Sequence, residues 1–263
     1  MEFELNGKTA LITASCRGIG RACAEALAAN GISRIAICCR SKSHIDLASK
    51  EIGNTYGIKV DGFECDISKI QDLDAFVTNY YKRTNRIDIL IVNSGTPNPG
   101  SFSNCNMSDW EEGINLCLRN SIYLCKKIIP EMKQMGFGRI IFLTSVFAKE
   151  PDVNFVISST LRSSLLALNK CLSVELATSG ITVNAICQGY VDTSLLRDVA
   201  IKNQAIFNKS AEIILKEWSD SIPLRRFARP LEIGNLIAFL SSEHGSYITG
   251  TALSIDGGIL RGV

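Results

Sequence analysis

Between Thr13 and Gly20 the chain reads TASCRGIG, directly after an apolar run and directly before the amphipathic stretch RACAEALAAN. Small residues in such a turn let backbone N–H groups approach a diphosphate, and the dipole of the following helix favours its negative charge. Gly18 and Gly20 alone say little, because tight turns often carry glycine; their place at the first strand-to-helix junction makes them a phosphate signal. A second signal lies where the second apolar run ends, at Cys38, Cys39 and Arg40. A dinucleotide fold that holds an unphosphorylated ribose normally offers a carboxylate there, whereas a 2′-phosphate needs a cation. No acid is at hand, and Arg17 lies in the glycine turn. Two arginines able to bracket one phosphate give the expectation of NADP(H) in preference to NAD(H).

Groups so far apart in sequence meet only if the fold gathers them, and the chain alternates short apolar runs with longer amphipathic ones. That is how a parallel sheet with crossover helices is written. The expected strands are Lys8 to Ala14, Arg34 to Cys39, Lys59 to Asp66, Asp88 to Asn93, Arg139 to Ser145, Thr182 to Cys187 and Thr251 to Asp256. About seven parallel strands make an α/β fold of the Rossmann kind, a single domain over 1–263 with a doubly wound sheet. Its ligands are expected beyond the carboxyl ends of the strands. From Val191 to Ser221 the regular rhythm is interrupted by some thirty residues of mixed helical pattern. An insertion at that point is expected to act as a lid over a bound ligand.

The 28 basic and 26 acidic residues nearly balance, to a net charge of +2, and the basic residues are scattered. Such a surface argues against nucleic acid and membrane surfaces as partners. No apolar run approaches the ~18 residues of a membrane span, and MEFELNGK at the start has no apolar leader pattern. The expectation is a soluble, cytoplasmic protein. Of the ten cysteines none are spaced C-x-x-C, and only His44 and His244 are available as imidazole ligands. Most read as small hydrophobes, so neither a metal site nor a disulfide is expected.

At this point the sequence resembles the short-chain dehydrogenase/reductase family, in particular its reductases of the 3-oxoacyl type, along nearly the whole chain. Thr13 to Gly20 matches the family turn T-G-x-x-x-G-x-G, with Ala14 in place of the first glycine. Asp66 matches the aspartate after the third strand that binds adenine. Val92 to Gly95, VNSG, is similar to N-N-A-G and keeps Asn93 and Gly95. NAICQGYVDT, Asn184 to Thr193, resembles N-A-I-x-P-G-Y-I-x-T with Gln188 for the proline, and the segment from Ile222 to Gly258 resembles the family's closing segment. The resemblance implies cofactor contacts from Thr13, Ser15, Arg17, Gly18, Ile19 and Gly20 in the turn. It adds Arg40, Asp66, Ile67, Asn93 and Gly95 from the next strands, and Arg162, Gly189, Val191 and Thr193 from the second half. It also implies a homotetramer packed through the helices of Met107 to Gln134 and Asn154 to Thr178.

The family's reaction is hydride transfer between nicotinamide and a carbonyl or alcohol carbon. A tyrosine exchanges the proton, a lysine four residues on lowers its pKa and holds the ribose, a serine orients the substrate oxygen, and an upstream asparagine supports a water relay. Residues four apart share a helix face, so phenol and ammonium act together. Here Ser145 matches the serine. Thirteen residues on, where the tyrosine belongs, stands Ser158, and four further, in the lysine's place, stands Arg162. Aligning Trp110 and Pro130 puts Cys117 at the asparagine's position; Asn115 fits only after a two-residue slip.

A serine hydroxyl is a much poorer acid than a phenol, and arginine keeps its proton at any working pH, with a pKa above ~12. The usual proton-transfer pair is therefore absent. Ser145, Ser158 and Arg162 remain as the candidate catalytic set, the serines as hydrogen-bonding partners and Arg162 as a fixed cation for the ribose hydroxyls or the substrate carbonyl. Tyr190 after the sixth strand is a candidate acid or a packing aromatic, and Cys117 a titrating thiol or a packing one. The Pro-rich loop Gly95 to Gly100 either reshapes the pocket or simply stiffens it. Two functions follow: a divergent NADP-dependent oxidoreductase acting on a carbonyl or alcohol, or a catalytically impaired dinucleotide-binding protein. Thioester, sugar and small ketone substrates all stay open.

Overall fold

A computed structural model describes residues 3–262; Met1, Glu2 and Val263, which belong to the expected domain and the N-terminal stretch, lie outside the described residues. The elements run β1 (Thr9–Ile12), α1 (Gly18–Ala29), β2 (Arg34–Cys39), α2 (Lys42–Tyr56), β3 (Lys59–Glu64), α3 (Ile70–Thr84), β4 (Ile89–Val92), α4 (Met107–Gly113), α5 (Asn120–Met135), β5 (Gly138–Leu143), α6 (Val156–Leu176), β6 (Ile181–Gln188), α7 (Ser194–Lys202), α8 (Gln204–Phe207), α9 (Ala211–Ser221), α10 (Pro230–Ser241) and β7 (Ala252–Ile255).

All seven strands are parallel, in the order β3-β2-β1-β4-β5-β6-β7. The doubly wound α/β sheet expected from the alternating pattern is the one observed. The runs TALI, ILIV and GRIIFL are buried throughout, as strands covered by helices on both faces must be. Alternation along β1 shows the two layers directly. Ala10 and Ile12 pack with Leu27, Ile45 and Ile233 from α1, α2 and α10, while Leu11 packs with Phe76, Leu124 and Leu165 from α3, α5 and α6 on the other face.

Two elements differ from expectation. The stretch from Met107 is not one helix: α4 starts on a capping box between Asn106 and Asp109, and a π-helical turn, Ile114–Arg119, joins it to α5. Pro130 sits inside α5 without ending it. The second of these helices begins at Val156 rather than Asn154, because the Asn154 N–H is held by the Asp152 carboxylate at 2.8 Å and the Phe155 N–H by the Asp152 carbonyl at 3.0 Å. The inserted stretch forms α7, α8 and α9. Among the described residues no helix is long and apolar enough to cross a membrane, and all ten cysteines are free thiols.

Candidate active site

A cavity of about 690 Å³ opens at the carboxyl ends of the strands, around the point where the strand order reverses between β1 and β4. Its floor is set by the turn after β1. Thr13 Oγ1 donates to the Asn93 carbonyl at 2.6 Å and accepts from the Asn93 N–H at 2.8 Å, stitching the ends of β1 and β4 together. Ser15 Oγ donates to the Ile12 carbonyl at 2.7 Å and accepts from the Cys38 N–H at 3.1 Å. A Cβ on Gly20 would stand 2.5 Å from the Ala14 carbonyl oxygen. Thr13, Ser15 and Gly20 therefore shape the turn from within and do not line the cavity, whereas Arg17, Gly18 and Ile19 do. Arg17 is the extended N-cap of α1 and its side chain makes no capping bond, so the first-turn N–H groups stay available to an anion.

Ala14, standing for the first glycine of the turn, is left-handed with φ +48°. A Cβ there is strained. Ala14→Gly is expected to stabilise the protein by up to about 1 kcal/mol without altering cofactor affinity, measured as a shift in the urea midpoint.

Arg17 and Arg40 are exposed, both line the cavity, and neither joins any ion pair among the described residues. Asp66 lines the same region. Burial opposes its ionisation, yet hydrogen bonds from the Ser68 hydroxyl and N–H, with Arg40 and Lys69 nearby, hold its carboxyl below the usual range. Ile67, Asn93 and Gly95 follow along the rim, and Gly189, Val191 and Thr193 close it beyond β6. At Gly189 a Cβ would meet the Asp256 backbone at 2.9 Å. Thr193 caps α7 by accepting from the Leu196 N–H at 3.2 Å.

Ser145, Ser158 and Arg162 converge on the other half of the cavity. Ser145 Oγ accepts from the Phe147 N–H at 3.3 Å, leaving its proton to donate. Ser158 is in the first turn of α6, and among the described residues its hydroxyl has no hydrogen-bond partner. Arg162, one turn further and only 4% exposed, donates from Nη1 to the Leu143 carbonyl at 2.9 Å and from Nη2 to the Gly95 carbonyl at 3.0 Å. Its guanidinium is thus anchored between the ends of β5 and β4, a tie across 67 residues to main-chain oxygens that no side-chain motif marks.

Cys117 does not reach the cavity. It is buried beside Ile157 and Leu161 and accepts from Ser94 Oγ at 3.8 Å, while Asn115 accepts from Arg119 at 3.3 Å. Tyr190 lines the cavity but stacks on Trp218 at 5.0 Å. Burial pushes its phenol well above the ordinary tyrosine value, so it is a weaker acid than a free phenol and a packing aromatic. Phe147 and Phe155, stacked at 4.8 Å, complete an aromatic wall, and Lys202 on α7 donates to Asn98 of the Pro-rich loop at 3.1 Å. Neither feature had a sequence signal, since each joins side chains from separate segments.

The family model described as enoyl-(acyl carrier protein) reductase matches residues 13–260. The chain belongs to the short-chain dehydrogenase/reductase family. Like other short-chain dehydrogenase/reductases, it is similar over its full length to known members. It is 33% identical over 259 residues to the 3-oxoacyl-[acyl-carrier-protein] reductase FabG of Aquifex aeolicus, covering 98% of this chain and 100% of that one. It is 35% identical over 259 residues to the oxidoreductase UcpA of Salmonella typhimurium, covering 97% and 95%. Among solved structures it superposes on L-sorbose reductase from Gluconobacter frateurii, complexed with NADPH and L-sorbose, with a TM-score of 0.93, 28% identity and full coverage of both chains.

Proposed function

We propose that this chain is an NADP(H)-dependent oxidoreductase that reduces a carbonyl to an alcohol through Ser145, Ser158 and Arg162. The observation that carries the reading is the convergence of these three side chains in the same cavity as the unpaired Arg17 and Arg40. The residues fit the cofactor. Two free guanidinium groups suit a 2′-phosphate, the uncapped start of α1 suits the diphosphate, and Asp66 beyond β3 suits the adenine. The NADPH complex of the superposed L-sorbose reductase supports the same choice.

When bound, NADPH supplies the hydride. The protein meets the negative charge that develops on the substrate oxygen with the hydroxyls of Ser145 and Ser158, in the field of the anchored Arg162. The proton reaches that oxygen from solvent, because the tyrosine position holds Ser158. Helices α7 to α9 serve as the lid. A cytoplasmic homotetramer packed through α5 and α6 completes the reading.

Calorimetric titration with NADPH and NADH, followed by a carbonyl-panel assay at the NADPH absorbance band, tests it. The expected result is NADPH binding about 100-fold tighter than NADH, with turnover of at least one carbonyl. Tight binding with no turnover across the panel would leave a dinucleotide-binding protein without catalysis.

A further inference from the structure

Arg162 is a cation without an anion. It is nine-tenths buried and more, it cannot shed its proton, and its two protein partners are neutral backbone carbonyls. Those bonds use two of its five N–H groups. Among the described residues no carboxylate lies within ion-pair distance of it. The acids that line the cavity lie elsewhere: Asp66 follows β3, three strands from β4, and is occupied with Ser68, and Glu112 is exposed on α4. A buried charge in this condition is costly unless a ligand completes it. A planar guanidinium with N–H groups to spare is matched by a carboxylate.

The surroundings narrow the ligand further. Ser145 and Ser158 line the same cavity as the cation with two hydroxyls, suited to an oxygen next to the carboxylate. Gln188 lines the same cavity, and among the described residues its buried Oε1 has no partner, an acceptor for a ligand O–H or N–H. The stacked pairs Phe147–Phe155 and Tyr190–Trp218 give flat apolar walls.

We infer that the substrate is a 2-oxo acid with a flat apolar side chain, its carboxylate held by Arg162 and its keto oxygen by the two serine hydroxyls. The inference rests on the reductase reading for its chemistry, though not for its binding. Carbon 2 gains a hydride from the reduced nicotinamide and its oxygen gains a proton from solvent. The 2-oxo acid becomes a 2-hydroxy acid as NADPH becomes NADP⁺, and no other reactant is needed.

The test compares benzoylformate with its methyl ester, which keeps the ketone and loses the charge. Binding to the NADP⁺-loaded protein is read by calorimetry and turnover with NADPH by absorbance. The expected result is a preference for the acid of about 50-fold or more. It shrinks to about threefold or less in Arg162→Gln and to about tenfold in Arg162→Lys, which keeps the charge but not the planar fork and serves as the second variant should the glutamine variant fail to fold. Acid bound no better than ester by the wild-type protein, or not bound, overturns the inference, whatever the variants do. Preferential binding of the acid with no turnover upholds the anion site and removes the reductase reading. Equal turnover of acid and ester does the reverse.

Discussion

Replacing Ser158 with tyrosine raises turnover of uncharged carbonyl substrates by about 100-fold or more at neutral pH. Ser158 lies in the first turn of α6, four residues before Arg162 and on the same helix face, with a hydroxyl that has no hydrogen-bond partner among the described residues. A phenol there reaches the substrate oxygen that the serine hydroxyl serves only as a hydrogen-bond donor. Positioned acid catalysis contributes ~10²–10⁴-fold, and the neighbouring guanidinium lowers the phenol's pKa toward the working range. The sign of the pH effect follows. Carbonyl reduction needs the protonated phenol, so in Ser158→Tyr the rate holds at low pH and falls as pH rises through that pKa. The wild-type profile lacks this limb. Steady-state rates from pH 6 to 10, with Ser158→Phe as the control for bulk, check it. An equal gain in the phenylalanine variant would mean that packing, not proton transfer, is responsible.

Arg40→Asp moves cofactor preference from NADPH toward NADH by a factor of about 100 to 1,000. The wild-type side chain lines the cavity, forms no ion pair among the described residues, and lies near enough to Asp66 to help hold that carboxyl ionised. The substitution removes a charge-assisted contact worth about 1.5–3 kcal/mol and adds repulsion against a 2′-phosphate. The new carboxylate can instead accept from an unmodified ribose hydroxyl. Arg17→Ala weakens NADPH by about tenfold, because one of the two cations remains. Dissociation constants for both cofactors decide the matter, and an unchanged ratio would place the phosphate elsewhere.

The fold was legible because burial writes itself into composition. Runs such as ILIV read as central strands of a parallel sheet, and the strand ends moved by one or two residues in both directions, β6 running Ile181–Gln188, one residue past the expected run at each end. The expected first strand continues through Thr13 and Ala14, yet Thr13 turns its hydroxyl onto the Asn93 carbonyl and Ala14 is left-handed, which ends β1 at Ile12. The break between α4 and α5 was not legible, since Gly113 and Ile114 continue a helical pattern and only the wider π-helical turn separates the helices. In the site, the family resemblance pointed to Ser145, Ser158 and Arg162 but left the environment of Arg162 blank. Its partners are main-chain oxygens, which no side-chain motif encodes. Gln188 stood out in the sequence as a replaced proline; its unpaired Oε1 depends on what surrounds it.

Transfer of deuterium from NADPH labelled at nicotinamide carbon 4 to a carbonyl substrate is the most direct measurement. With the wild-type chain the label is expected on the carbinol carbon of the product, and in Arg162→Gln the rate of its appearance falls about 100-fold. Wild-type protein saturated with NADPH that passes no label to any carbonyl offered, or a glutamine variant that passes it at the wild-type rate, would contradict a catalytic site built on Arg162.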